Sequence, residues 1–142
     1  MKQLTFGAVA FAAGLIGGLA VKSAPVVDAA PAAGHVYEIR TYTAAEGKLE
    51  ALKTRFRDHT ITIFNRHHMK SVGYWVPEDA PLNNTLIYIL EHASREEAKK
   101  NWDEFRADPE WVKVKAASEA QGPVTTKVES VFADAADFSP IK

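Results

Sequence analysis

An α+β domain of order β-α-β-β-α-β, preceded by an N-terminal hydrophobic helix, is predicted by three observations. VYEIRTYT, residues 36–43, alternates as a strand does; two later stretches repeat apolar residues at three- and four-residue spacing; and three further β-rich segments separate and follow them. With 142 residues, 46% hydrophobic and 25% charged, the chain has the composition of a globular protein with one domain. Formal net charge is −1 and basic residues are interleaved with acidic ones, so no field attracts nucleic acid. The absence of cysteine excludes disulfides, thiolate catalysis and Cys-based metal sites.

Lys2 precedes an uncharged run from Leu4 to Val21, followed by Lys22 and the small, proline-containing tract SAPVVDAAPAAG. Residues 1–22 read as a signal peptide or a transmembrane anchor. Val27-Asp28-Ala29 and Ala30-Pro31-Ala32 are cleavage-like, whereas Ala10, Gly14 and Gly18 have the small-residue spacing of packed membrane helices. Either way, the basic start predicts export, with the domain periplasmic or anchored on the outer side of the inner membrane. Residues 23–34 are then a linker, 35–133 the folded domain and 134–142 a polar tail.

After the first strand, Leu49, Leu52, Phe56, His59 and Ile63 form the inward stripe of an amphipathic helix that ends near His67-His68. Lys48, Lys53, Arg55, Arg57 and Asp58 fall mostly on its outer side. MKSVGYWV returns to strand composition, with Val72, Tyr74 and Val76 expected on one face. PEDAPLNN is a connection, and TLIYILEH is apolar enough to be a strand buried on both faces. Ser94-Arg95-Glu96-Glu97 is a capping box that starts a helix with Ala98, Asn101, Trp102 and Phe105 inward. Asp108-Pro109 closes it and caps a second helical piece, in which Trp111, Val114 and Lys115 continue inward to Gly122-Pro123. VTTKVESVFA is the last strand. The order is that of a ferredoxin-like domain, an antiparallel sheet with its helices on one face, so the other face awaits solvent or a second copy.

The segments VYEIRTYTAAEGKLEAL, HHMKSVGYW, LEHASREEAKKNWDEFRADPEW and VESVFADAADFSP resemble the NIPSNAP family over roughly residues 35–140. The resemblance implies a dimeric α/β barrel in which two protomers pair their open sheet faces. In that arrangement Glu38, Arg40 and Tyr42 would point into the space between sheet and partner. Other families of this barrel include cofactor-independent monooxygenases and haem-degrading enzymes, while NIPSNAP proteins are associated mostly with binding or trafficking. Tyr88-Ile89-Leu90-Glu91-His92 departs from that pattern in having less aromatic character around Glu91.

Glu38 and Arg40, two apart on a strand, are spaced for a charge-assisted contact, for gripping a ligand carboxylate, or for fixing a dimer. Tyr42, Tyr74 and Tyr88 join them as candidate ligand-binding residues, with the other aromatic side chains either in the core or lining an apolar pocket. His59, on the inward stripe, is a candidate ligand-binding residue and proton acceptor, and His59 and Tyr74 are the catalytic candidates. No metal is expected: adjacent His67 and His68 diverge on a helix, His59 and His67 are two turns apart, and a site would have to borrow His92 with Glu91. No cofactor is expected either, and no Gly-rich phosphate loop, serine elbow or carboxylate pair is present.

Three functions follow as expectations. One is a homodimeric binding or interaction protein that takes a small apolar or carboxylate ligand or a protein partner. A second is a cofactor-independent monooxygenase or isomerase. A third is an accessory subunit docked on a membrane-protein partner through residues 4–21.

Overall fold

The computed structural model describes residues 35–141. The expected signal or anchor and the linker lie outside them; among the described residues no helix is long and apolar enough to cross a membrane. The elements are β1 (Val36–Ala44), α1 (Leu49–Arg55), a π turn (Phe56–Thr60), α2 (Ile61–Arg66), β2 (Lys70–Trp75), β3 (Thr85–His92), α3 (Arg95–Ala107), α4 (Pro109–Ser118) and β4 (Thr125–Asp134). The four strands run in the order β2-β3-β1-β4, with every neighbouring pair antiparallel. Placing the first and third strands at the centre is the ferredoxin-like arrangement that the element order predicts.

Strand alternation assigns the two faces of the sheet. On one face Leu86, Tyr88 and Leu90 of β3 meet Leu52, Phe56, Ile63, Phe64, Trp102 and Phe105 of the helices in the hydrophobic core. The register places Glu38 opposite Leu90, Arg40 opposite Tyr88 and Tyr42 opposite Leu86, so these three polar residues lie under the helices. This corrects the expectation that they point away from the helices toward a partner. Glu38, Arg40 and Tyr42 have parity with the core residues of β3, and antiparallel pairing puts equal parity on one face. The outward face carries Ile39 between Ile89 and Val131, with Val131 61% exposed. β3 is therefore deeply buried on its helical side, whereas Ile87 and Ile89 on the other side remain partly exposed.

Three local features shift residues from their expected places. First, the π turn adds a residue to the long helical run, so after Leu52 and Phe56 the buried stripe continues through Thr60, Ile63 and Phe64 while His59 turns outward into solvent. Thr60 Oγ1 donates to the Arg55 carbonyl at 3.1 Å, satisfying an acceptor where the helical ladder widens. Second, Ser71 pairs with Leu90 and Gly73 with Ile89, so Val72 is the extra residue of a bulge. Val72 consequently joins Ile39 and Ile89 on the open face, opposite Tyr74 rather than beside it. The Trp75 ring lies over Gly73, where an added Cβ would meet it at 2.6 Å. Third, Arg55 is buried, not outward, and Lys115 is exposed, not inward, because α4 has no fully buried residue.

The caps behave as their residues dictate. Ser94 Oγ accepts from the Glu97 N–H at 3.1 Å, and all four predicted inward residues of α3 are buried. Asp108 Oδ1 accepts from the Glu110 N–H at 2.8 Å and the Trp111 N–H at 3.3 Å, starting α4 with Pro109 in its first turn. α2 stops where His68 takes a left-handed φ of 57° and the Met69 N–H returns to the Phe64 carbonyl at 2.9 Å.

Candidate functional site

At the centre of the helical side of β1, one carboxylate receives four donors. Ser130 Oγ of β4 donates to Glu38 Oε1 at 2.6 Å, and Arg40 Nη1 donates to the same oxygen. Trp102 Nε1 of α3 donates to Oε2 at 2.6 Å, and His92 Nε2 of β3 does so at 3.1 Å. Indole N–H can only donate, so Glu38 is the acceptor and His92 carries its proton on Nε2. Burial pushes the Glu38 carboxyl up; hydrogen bonds from His92, Ser130 and Trp102, with the Arg40 charge, outweigh it and bring the value down from 4.5 to about 2. A carboxylate offers about four acceptor sites. This one has all of them engaged by its own chain.

Arg40 joins that cluster to Tyr42 and α3. Its guanidinium carbon sits 4.2 Å from the Trp102 ring centroid and 5.4 Å from that of Tyr42, and Nη2 donates to the Tyr42 hydroxyl at 3.3 Å. Burial disfavours its charge, but the surrounding phenols of Tyr88 and Tyr42 and the Glu38 carboxylate hold its pKa above the usual value. The Arg40 side chain is 14% exposed and its Nε is buried without a hydrogen-bond partner.

The tyrosines line up behind it. Tyr42 packs edge-on against Tyr88 at 5.3 Å, and Tyr88 stacks on Tyr74 at 5.5 Å, with Phe56 5.1 Å from Tyr88. Burial raises both Tyr74 and Tyr88, and the Tyr74 hydroxyl shares a 2.6 Å hydrogen bond with Ser71 Oγ, which partly offsets its rise. Both phenols therefore keep their protons at neutral pH. Tyr74 also lines a groove of about 260 Å³ at the sheet margin, beside Trp75, Val76 and Phe56.

Of the residues singled out in the sequence, the fold assembles Glu38, Arg40, Tyr42, Tyr74 and Tyr88, and removes His59. His59 instead lines a separate groove between α1 and α4. The His92 and Glu91 pairing also fails. His92 faces Glu38 while Glu91, next along the strand, faces Lys70 and His35 on the opposite side. His67 is held by Asp108 at 2.8 Å, and Arg66 joins the same carboxylate at 3.1 Å. Among the described residues, no group of three or more His, Asp or Glu side chains is arranged to hold a metal ion.

Trp102, His92 and Ser130 are the partners that sequence reasoning did not bring to this carboxylate. Each had a signal: Trp102 is on the inward stripe of α3, His92 has the parity of Tyr88, and Ser130 pairs with Arg40 in the antiparallel register. Their convergence on one carboxylate depends on tertiary packing, since Trp102 and Glu38 are 64 residues apart.

The NIPSNAP family profile matches residues 37–140. A NIPSNAP family protein of unknown function from Agrobacterium tumefaciens is 26% identical; the match covers 78% of this chain and 96% of that one, with a TM-score of 0.68. An uncharacterized NIPSNAP domain protein from Burkholderia xenovorans is 22% identical over 74% of this chain and 98% of that one, with a TM-score of 0.64. A monooxygenase from Streptomyces coelicolor, solved with nanaomycin D, shares the fold at 12% identity over 77% and 94% of the two chains, with a TM-score of 0.53. No curated protein matches the chain.

Proposed function

The chain belongs to the NIPSNAP family, and from that premise we propose that it is a non-catalytic binding and interaction protein in which two copies pair through their open sheet faces. The observation that carries the first half is the saturation of Glu38. A general base or a ligand-gripping carboxylate needs a free lone pair, and the donors of Arg40, Ser130, His92 and Trp102 take those available. The cluster instead ties β1 to β3, β4 and α3.

Pairing is supported by what lies on the other face. Ile39, Ile87, Ile89 and Val72 form an apolar surface that the helices do not cover and that Ala135, Ser139 and Ile141 flank, and Val131 extends it to the edge strand at 61% exposure. A two-fold axis would make this one patch self-complementary. The apolar run at residues 4–21 supports export or anchoring, with the paired domains outside the inner membrane. Native mass spectrometry of the full chain, extracted from its membranes, tests the reading. Paired chains are expected, and a monomer at every concentration would contradict it.

A second reading, a cofactor-independent oxygenase or isomerase, draws support from Tyr74, a protonated phenol at the wall of an apolar groove. In that role Tyr74 donates a hydrogen bond to a substrate oxygen. Turnover of an apolar phenolic substrate that disappears in Tyr74→Phe would favour it over the first.

A further inference from the structure

Beyond β4 the chain folds back over the sheet face that the helices leave open. There Ala135, Ser139 and Ile141 border a cavity of about 160 Å³ together with Tyr37, Ile39 and Ile89. Alternation puts Tyr37 on the same side as Ile39, yet Tyr37 is buried while Val131, farther along that face, is exposed. One end of the open face is thus bordered by the tail of its own chain, and the remainder is bare.

A turn shapes this tail. The Ser139 N–H donates to the Ala136 carbonyl at 2.9 Å, and the Ile141 N–H donates to Ser139 Oγ at 3.2 Å. Asp137 and Phe138 are therefore the central residues of the turn, the two that stand farthest from the chain closing beneath them. Ile141 returns to the sheet, where it is 47% exposed, whereas Phe138 is carried clear of the domain and is 88% exposed. A lone apolar residue at a surface is ordinary. This one stands on the raised part of a segment that already borders an apolar face, and an aromatic ring in that position has the form of an interface anchor. Asp134 and Asp137 place carboxylates near it in the sequence, which opposes an anionic lipid surface and favours a protein one. A second copy brought face to face by a two-fold axis must meet the tail, because the tail stands on the pairing face.

We propose that residues 135–141 form an arm that each copy lays on its partner, with Phe138 as the anchor buried against the open sheet face of the second copy. The arm presupposes pairing through the sheet faces and assigns to the tail a share in holding the pair together. By symmetry each pair buries two such rings.

The test places the photo-crosslinking residue p-benzoylphenylalanine at position 138 of the full chain, co-expressed with an affinity-tagged unmodified copy. Irradiation in the membranes should join the two chains, with the crosslink mapped by mass spectrometry to the open sheet face or the tail of the tagged copy. In parallel, Phe138→Ser should raise the dimer dissociation constant of the full chain at least about tenfold, since burial of even one such ring contributes that much. Crosslinks to lipid, to the helical side or only within one chain, or an unchanged dissociation constant, in chains that still sediment as dimers, would overturn the arm and leave sheet pairing standing. A wild-type chain that sediments as a monomer would overturn both.

Discussion

Trp102 Nε1 donates to Glu38 Oε2 at 2.6 Å, joining the middle of α3 to the central strand β1 by a charge-assisted hydrogen bond inside the core. The same indole ring carries the Arg40 guanidinium at 4.2 Å. One tryptophan thus contacts both members of a buried ion pair, satisfying the anion through its N–H and the cation through its π face. The stability of the domain should be unusually sensitive to these few polar atoms.

Glu38→Gln should be strongly destabilising. The amide replaces an accepting oxygen by a donor that faces other donors, and it leaves the Arg40 charge buried without its counter-ion. Removing one partner of a buried pair costs about 3–5 kcal/mol. Urea denaturation of the two chains measures the difference; a loss of under about 1 kcal/mol would mean that the cluster is not structural.

The acid side of the stability curve should be governed by the same carboxyl. In the unfolded chain Glu38 takes up its proton near pH 4.5, whereas in the folded chain it does so only near pH 2. As pH falls from 4.5 to 2 the unfolded state binds the proton first, so this contribution, present above pH 4.5, is progressively lost and is gone below pH 2. It amounts to about 3 kcal/mol at full strength. Denaturant midpoints recorded across that window should fall with pH, and Glu38→Gln should flatten the slope.

Trp102→Phe keeps the ring over Arg40 and removes one N–H donor. It should cost about 1–3 kcal/mol and raise the Glu38 pKa from its value of about 2, read as the carboxyl carbon shift during an NMR titration. An unmoved titration would mean that His92, Ser130 and Arg40 hold the carboxylate down without the indole.

The register shift of the π turn gives a paired comparison. His59→Ala, at an exposed position, should change stability by no more than about 0.5 kcal/mol. Thr60→Ala, which removes a buried methyl and the hydrogen bond to the Arg55 carbonyl, should cost about 1–2 kcal/mol. An uninterrupted helix would reverse that order.

Much of the architecture was legible because it follows from period and capping chemistry. The Ser94 and Asp108 caps, the inward stripe of α3 and the order of elements along the chain all follow from local residue patterns. What could not be read locally were insertions by one residue. The π turn moved His59 to the surface and the bulge at Val72 moved that side chain across the sheet. Neither carries a sequence mark as strong as a capping residue. The polar face of β1 was recognised but placed on the wrong side of the sheet, because alternation groups Glu38 with Arg40 and Tyr42 without saying which face the helices cover. That choice is made by Trp102 and Tyr88, which bring donors and aromatic surface to that side.

The most direct test of the central claim is sedimentation of the full chain beside Val131→Asp, which puts a charge on the edge-strand side of the exposed sheet face and replaces no core residue. The wild-type chain should sediment as a dimer and Val131→Asp as a monomer with an unchanged melting temperature. A monomeric wild type, or a variant that pairs as well as the wild type, would contradict pairing through the sheet.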